Sequence, residues 1–213
     1  MAQFISILLA AIASYLIGAI PTAYLFGKHL KGIDIREHGS GNIGATNAFR
    51  VLGKKPGTIV LIIDILKGLI PTTLLAYLFG LDNPWGYVFL GLITVAGHNW
   101  TVFLQFKGGK GIATSLGVLI GLTIQISTFR PVLLITLLTW IVVFLVTGYV
   151  SLASILASTV LPLMMVVFIQ PFAIVLLGIF LCIFIVFRHR PNIKRLFSGT
   201  EPKANWPFKR TPY

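Results

Sequence analysis

The chain has 213 residues, of which 56% are hydrophobic and only 10% charged, with a formal net charge of +12. So few charged groups exclude an ordinary soluble globule, where about a quarter of the residues are charged and cover the water-facing surface. The basic residues are not interleaved with a soluble reading module, so no nucleic-acid partner is expected, and membrane orientation or anion binding explains the charge better.

Near-continuous apolar runs and a mean hydropathy of +0.93 predict an all-α, polytopic integral membrane protein forming one domain over residues 1–213. In chain order, seven crossings are predicted at 4–27, 56–80, 84–104, 112–128, 131–147, 150–169 and 171–187. The first lacks the basic start and compact apolar stretch of a signal peptide and contains Pro21, so it is expected to be retained. Between the fourth and fifth, Pro131 at a helix start marks the break, since its missing N–H would be unbonded there anyway. Cys182 lies alone in an apolar run and is expected to be inert packing.

Seven crossings gather fifteen of the seventeen Lys and Arg residues on one side, in loops 28–55 and 105–111 and in a basic tail, 188–213. The opposite side keeps Arg130 and the acidic Asp82, and Lys67 falls inside a crossing. The positive-inside rule therefore predicts a cytoplasmic basic face and an exterior N-terminus. Orientation alone accounts for Lys54, Lys55, Lys209 and Arg210, but not for the Gly, Asn, Ser and Thr that accompany the other charges.

Three clusters have the composition of anion sites. In Ser40-Gly41-Asn42-Ile43-Gly44-Ala45-Thr46-Asn47, glycines expose backbone N–H groups, short polar side chains add donors, and Arg50 follows as a guanidinium. A flexible polar loop is the plainer explanation of the same string. Lys107-Gly108-Gly109-Lys110-Gly111 stands at the predicted start of a crossing, where free amides, the positive dipole end and two ammonium groups favour a phosphate. His98 and Asn99 lie just before it. The third cluster begins Arg188-His189-Arg190-Pro191-Asn192 and runs through Arg195 to Glu201, where attraction to anionic lipid headgroups is the alternative. Asp64 and Lys67, spaced i,i+3, share a helix face and form either a neutralising pair or one that turns Lys67 toward a bound phosphate. With five acidic residues, one Cys and no ligand spacing among four His, neither a carboxylate-dependent triad nor a metal centre is well supplied. No metal and no cofactor are expected.

These residues suit a substrate with phosphate at one end and an acyl tail at the other. They leave open an enzyme of phospholipid metabolism, a transporter of a phosphorylated metabolite, or a scaffold docked on lipid. The strings themselves go further. Ser40 to Asn47 with Arg50, Gly97-His98-Asn99 through Phe106-Lys107-Gly108-Gly109-Lys110-Gly111, Arg188-His189 with Asn192-Ile193, Arg195-Leu196 and Gly199-x-Glu201, and Asp64-x-x-Lys67-Gly68 together resemble the bacterial acyl-phosphate-dependent glycerol-3-phosphate acyltransferases along nearly the whole chain.

The resemblance implies seven transmembrane helices in a bacterial cell membrane (the inner one in a Gram-negative cell), with the motifs facing the cytoplasm. It implies transfer of an acyl group from acyl phosphate to the 1-hydroxyl of glycerol 3-phosphate, without direct use of acyl-CoA or acyl carrier protein. On that footing Ser40, Arg50, His98, Lys107 and Lys110 are the expected catalytic groups. Gly41, Asn42, Gly44, Thr46, Asn47, Lys67, Asn99, Gly108, Gly109, Arg188, His189, Asn192, Arg195 and Glu201 are the expected substrate and phosphate ligands. The hydroxyl proton is expected to pass to a substrate phosphate, with His98 positioning groups, although His98 or His189 could take it. Expected partners are the two substrates and membrane lipids. A monomer is expected, in transient contact with enzymes that make acyl phosphate or perform the next acylation.

Overall fold

A computed structural model describes residues 1–204, so Lys209 and Arg210 of the basic tail lie outside the described residues. The described chain is all-α. Four helical stretches are long and apolar enough to cross a membrane, Lys54–Leu78, Pro84–Leu104, Ser127–Thr147 and Val150–Val167, and the number rises to six if two bent pairs each count as one span.

The predicted first crossing is one of those pairs. Helices α1 (Ala2–Ala19) and α2 (Thr22–Lys31) meet at Pro21, which cannot donate to the preceding turn, and the axis bends by 40° there. Loop 28–55 is more structured than its composition suggests. It contains a 3-10 turn at Ile35–Glu37, helix α3 (Ala45–Leu52) and the first residues of α4 (Lys54–Ile70). A π-helical turn at Pro71–Leu75 joins α4 to α5 (Ala76–Leu78), placed where Pro71 removes an amide from the ladder. Helix α6 (Pro84–Asn99) starts on an Asn83 side chain that accepts from the Gly86 N–H at 3.1 Å.

The predicted fourth crossing shortens to α7 (Ile112–Gln125), whose 14 residues span only about 21 Å. Helices α8 (Arg130–Thr147) and α9 (Val150–Val167) form a hairpin about Gly148. Helix α10 (Phe172–Arg188) returns toward the basic end. The tail expected from 188 onward begins instead with an ordered helix, α11 (Arg190–Phe197), turned 59° from α10.

Glycine sets the closest helix approaches. A Cβ on Gly117 would overlap the Ile65 carbonyl, and one on Gly68 the Thr114 carbonyl, so α4 and α7 touch backbone to backbone. Gly18 and Gly97 do the same for α1 and α6 against Thr94 and Tyr15. These contacts fix depth as well as distance. Thr114, in the first turn of α7, meets Gly68 near the middle of the Lys54–Leu78 stretch, so the end of the KGGKG string is sunk into the bundle rather than spread on its surface. Two apolar cores result. The larger gathers Leu90, Val118, Leu122, Phe129, Ile174 and Leu177 inside the bundle. The smaller, around Ala23, Ile35, Ala48, Leu52 and Val60, fastens α2 and α3 onto the start of α4.

Substituting Gly117 tests the α4–α7 contact. Gly117→Ala is expected to cost about 1–3 kcal/mol through overpacking, lowering the thermal midpoint in detergent by roughly 3–10 °C. Leu134→Ala, at a side chain 57% exposed on α8, should leave the midpoint nearly unchanged.

Candidate active site

The first cluster is built by Asn47. Its carboxamide oxygen accepts from the Ser40 N–H at 2.8 Å, and its NH2 donates to the carbonyls of His38 (3.0 Å) and Ile35 (3.3 Å). Asn47 is fully buried, and Gly39, at φ 62°, has no room for a Cβ against it. The amide therefore shapes the loop, and its hydrogen-bonding capacity is spent there rather than on a ligand. Asp34 caps the 3-10 turn by accepting from the Arg36 N–H and binds the Arg36 guanidinium at 2.6 Å. Those hydrogen bonds from Arg36 hold the Asp34 carboxyl at about 2. Gly44 starts α3 without a side-chain cap, Gly41 sits at φ 70° beside the Arg36 carbonyl, and Asn42 lies against Gly44. Ser40, Thr46 and Arg50 remain exposed.

The second cluster differs from expectation in one respect. The Gly108 and Gly109 amides do not face outward. They donate to the Asn99 carbonyl (3.2 Å) and the His98 carbonyl (3.0 Å), which lie past the end of the α6 ladder. A Cβ on Gly109 would collide with His98 Nε2, so the loop lies directly on the imidazole. The amides left for an anion are those of Ile112, Ala113 and Thr114 in the first turn of α7, after Gly111 at φ 76°. Asn99 is fully buried beside Gly111, with both side-chain polar atoms unpartnered among the described residues. Lys107 is exposed, whereas Lys110 is partly enclosed.

The third cluster meets the second directly. Arg188 donates from Nε to the Gly109 carbonyl (3.0 Å) and from Nη2 to the carbonyls of Gly108 and Gly109 (both 2.8 Å), so the guanidinium clamps the glycine pair. Lys110 Nζ donates to Asn192 Oδ1 at 2.5 Å, and Asn192 Nδ2 donates to Glu201 Oε1 at 2.6 Å. Glu201 also accepts from Ser151 Oγ (2.6 Å) and pairs with Arg195 Nε (2.8 Å). Burial alone would raise the Glu201 carboxyl, but the bonds from Ser151, Asn192 and Arg195 outweigh it and hold it below the usual range. His189 donates from Nδ1 to the Ile185 carbonyl at 2.7 Å, which leaves the lone pair of a neutral ring on Nε2.

The first and third clusters share a cavity of about 360 Å³ lined by Gly39, Ser40, Arg50, Arg195 and Pro202. Burial, and then the positive charges of Arg195, Arg188 and Arg50, push the Lys110 ammonium down to about 8 against the opposing pull of Glu201. Lys67 stands apart from this cavity. Its ammonium binds Asp64 Oδ1 (2.6 Å) and the Ile20 carbonyl, in a pair 3% and 1% exposed. Ser151, absent from the sequence motifs, is brought in by the α9 start. Its only sequence signal was a hydroxyl at a helix end following a glycine turn.

The model of the family described as glycerol-3-phosphate acyltransferase matches residues 8–199. The chain belongs to that family. It is 45% identical to the glycerol-3-phosphate acyltransferase of Gloeobacter violaceus over 92% of this chain and 93% of that one. It is 44% identical to that of Bacillus subtilis over 94% and 98%. Two crystal structures of an integral membrane glycerol 3-phosphate acyltransferase, a glycerol 3-phosphate form and a lysophosphatidic acid form, superpose with TM-scores of 0.85 and 0.82. Both are 42% identical and cover 94% of this chain and 96% of theirs. Membership makes the chain a polytopic membrane enzyme.

Lys110 gives a pH test of this site. A lysine lowered to about 8 loses its charge as pH rises through that value, and with it part of the attraction for phosphate. The kcat/KM for glycerol 3-phosphate should fall above pH 8, and Lys110→Arg should remove that inflection, since a guanidinium stays charged.

Proposed function

We propose that this acyltransferase carries an acyl group from acyl phosphate to the 1-hydroxyl of glycerol 3-phosphate. The observation that carries the proposal is the convergence of three basic segments, two of them glycine-rich, through the Lys110–Asn192 and Arg188–Gly109 bonds and the Ser40–Arg50–Arg195 cavity. Two phosphate-bearing substrates need two anion sites at close quarters. Ser40, Arg50 and the Gly41-to-Asn47 loop supply one. Lys110, Arg195, His189 and the α7 N-terminus supply the other, with Asn192 and Glu201 setting their geometry. Lys107, exposed, attracts the incoming anions.

Acyl phosphate is already a mixed anhydride, so no enzyme nucleophile is required. The 1-hydroxyl oxygen forms a bond to the carbonyl carbon, the carbon–oxygen bond to phosphate breaks, and the hydroxyl proton leaves with the phosphate. The products are 1-acylglycerol 3-phosphate and inorganic phosphate. Guanidinium and ammonium groups stabilise the oxyanion and the departing phosphate, and placement supplies much of the rest. His98, beneath Gly109, orients groups rather than acting as the base.

Seven crossings complete the topology. The two bent pairs each make one span, and Ile112–Gln125 makes a short seventh, supported by its sunken start beside Gly68. By the positive-inside rule the site faces the cytoplasm, the N-terminus lies outside, and one domain spans 1–213. On this reading the enzyme works as a monomer.

Purified protein given palmitoyl phosphate and glycerol 3-phosphate should release lysophosphatidate and phosphate, and palmitoyl-CoA should not replace the acyl phosphate. Absence of product from acyl phosphate would overturn the proposal. Arg50→Ala should lower kcat/KM by about 10²–10³-fold, the usual loss for one preorganised donor to developing negative charge.

A further inference from the structure

The bend between α1 and α2 leaves the Ala19 carbonyl without its helical amide and the Ile20 carbonyl with only a tight-turn bond from the Thr22 N–H (3.0 Å), because the chain restarts at Thr22 after Pro21. Beneath a lipid surface such groups need partners from elsewhere. Thr101 Oγ1 donates to the Ala19 carbonyl at 2.5 Å, and the Lys67 ammonium donates to the Ile20 carbonyl. Asp64 Oδ1 holds Lys67 at 2.6 Å and accepts from Thr22 Oγ1 at 3.2 Å. Thr101, Lys67, Asp64 and Thr22 are all at most 4% exposed, so the whole junction is closed to water.

Thr101 occupies a particular place in this junction. Its hydroxyl also accepts from the Phe103 N–H at 3.3 Å, and its carbonyl accepts from the Phe106 N–H at 2.8 Å. It therefore caps the turn that delivers Lys107 while gripping the end of α1. Next to it, Tyr15 OH donates to the Trp100 carbonyl at 2.7 Å, which ties the same two ends a second time. On one side of the junction, α2 leads to the Ser40 loop and Arg50. On the other, His98 and Asn99 hold the amides of Gly109 and Gly108.

We infer that Thr101 is a positioning residue for the acyl transfer, with the Lys67–Asp64 pair as its support. It sets the separation between the half of the site carried by α2 and α3 and the half carried by the ends of α6 and α7. The inference rests on the acyltransferase reading. A hydroxyl is required, because a methyl in its place leaves the Ala19 carbonyl unpartnered and lets α2 shift. Displacement of a reacting group by about 1 Å costs about 100-fold in rate, without removing any group that touches substrate.

The test compares Thr101→Ser with the isosteric Thr101→Val in full-length protein purified in detergent, with kcat and both KM values measured. Thr101→Ser should keep the wild-type kcat, while Thr101→Val should lose about 100-fold in kcat with both KM values changed less than about threefold. If Thr101→Val does not yield folded protein, Thr101→Ala is held to the same criterion, and Thr101→Ser must still match wild type. Equal kcat in all variants overturns the inference, as does an equal loss in the Ser and Val variants. A wild-type protein that makes no lysophosphatidate overturns the acyltransferase reading instead.

Discussion

Backbone groups freed at helix ends must find partners inside a bundle surrounded by lipid, and this requirement organises the whole basic end of the molecule. Arg188 closes the carbonyls of Gly108 and Gly109, whose amides close those of Asn99 and His98. Thr101 and Lys67 close those of Ala19 and Ile20. Many residues that look like ligands in the sequence are first of all caps. On the proposed reading, the anion sites occupy what the caps leave free: the exposed ends of Arg50 and Ser40, Arg195 at the cavity, Lys110 and the first turn of α7.

The second organising element is Glu201, one of only five acidic residues. It receives Ser151, Asn192 and Arg195 and so joins α9, α11 and, through Asn192, the Lys110 loop. Its carboxylate offsets part of the charge of Lys110, Arg195, Arg188 and Arg50, which act on one another at this end, and the remainder stays positive. That surplus suits two phosphate-bearing substrates on the proposed reading. Burial first, and then the neighbouring guanidinium charges, lowers the Lys110 ammonium.

Much of this was legible in the sequence, for identifiable reasons. Apolar runs gave the membrane class and most helix positions, since a lipid-facing helix needs little else. Pro131 marked a helix start through its missing amide, whereas Pro21 argued only for a retained first crossing and its bend emerged in the structure. The three motifs were visible because unusual composition accompanied their charge. The sequence was silent where the outcome depended on tertiary contacts. The Gly108 and Gly109 amides turned inward because α6 ended beneath them, and periodicity carries no trace of that. Asn47 looked like a donor to phosphate, yet three backbone groups of its own loop occupied it. Ser151 could be found only by following Glu201 back across the fold. The short α7 and the ordered α11 likewise followed from packing depth rather than from hydropathy.

On the proposed reading this recess works by placing two anions and stabilising charge, with no covalent acyl-enzyme. Exchange of labelled inorganic phosphate into acyl phosphate, measured on purified enzyme without glycerol 3-phosphate, tests it most directly. A covalent intermediate would release phosphate reversibly before the acceptor arrives, whereas direct transfer would not. Direct transfer gives no exchange above the enzyme-free rate, and intersecting double-reciprocal plots when both substrates are varied. Enzyme-dependent exchange with parallel plots would contradict it.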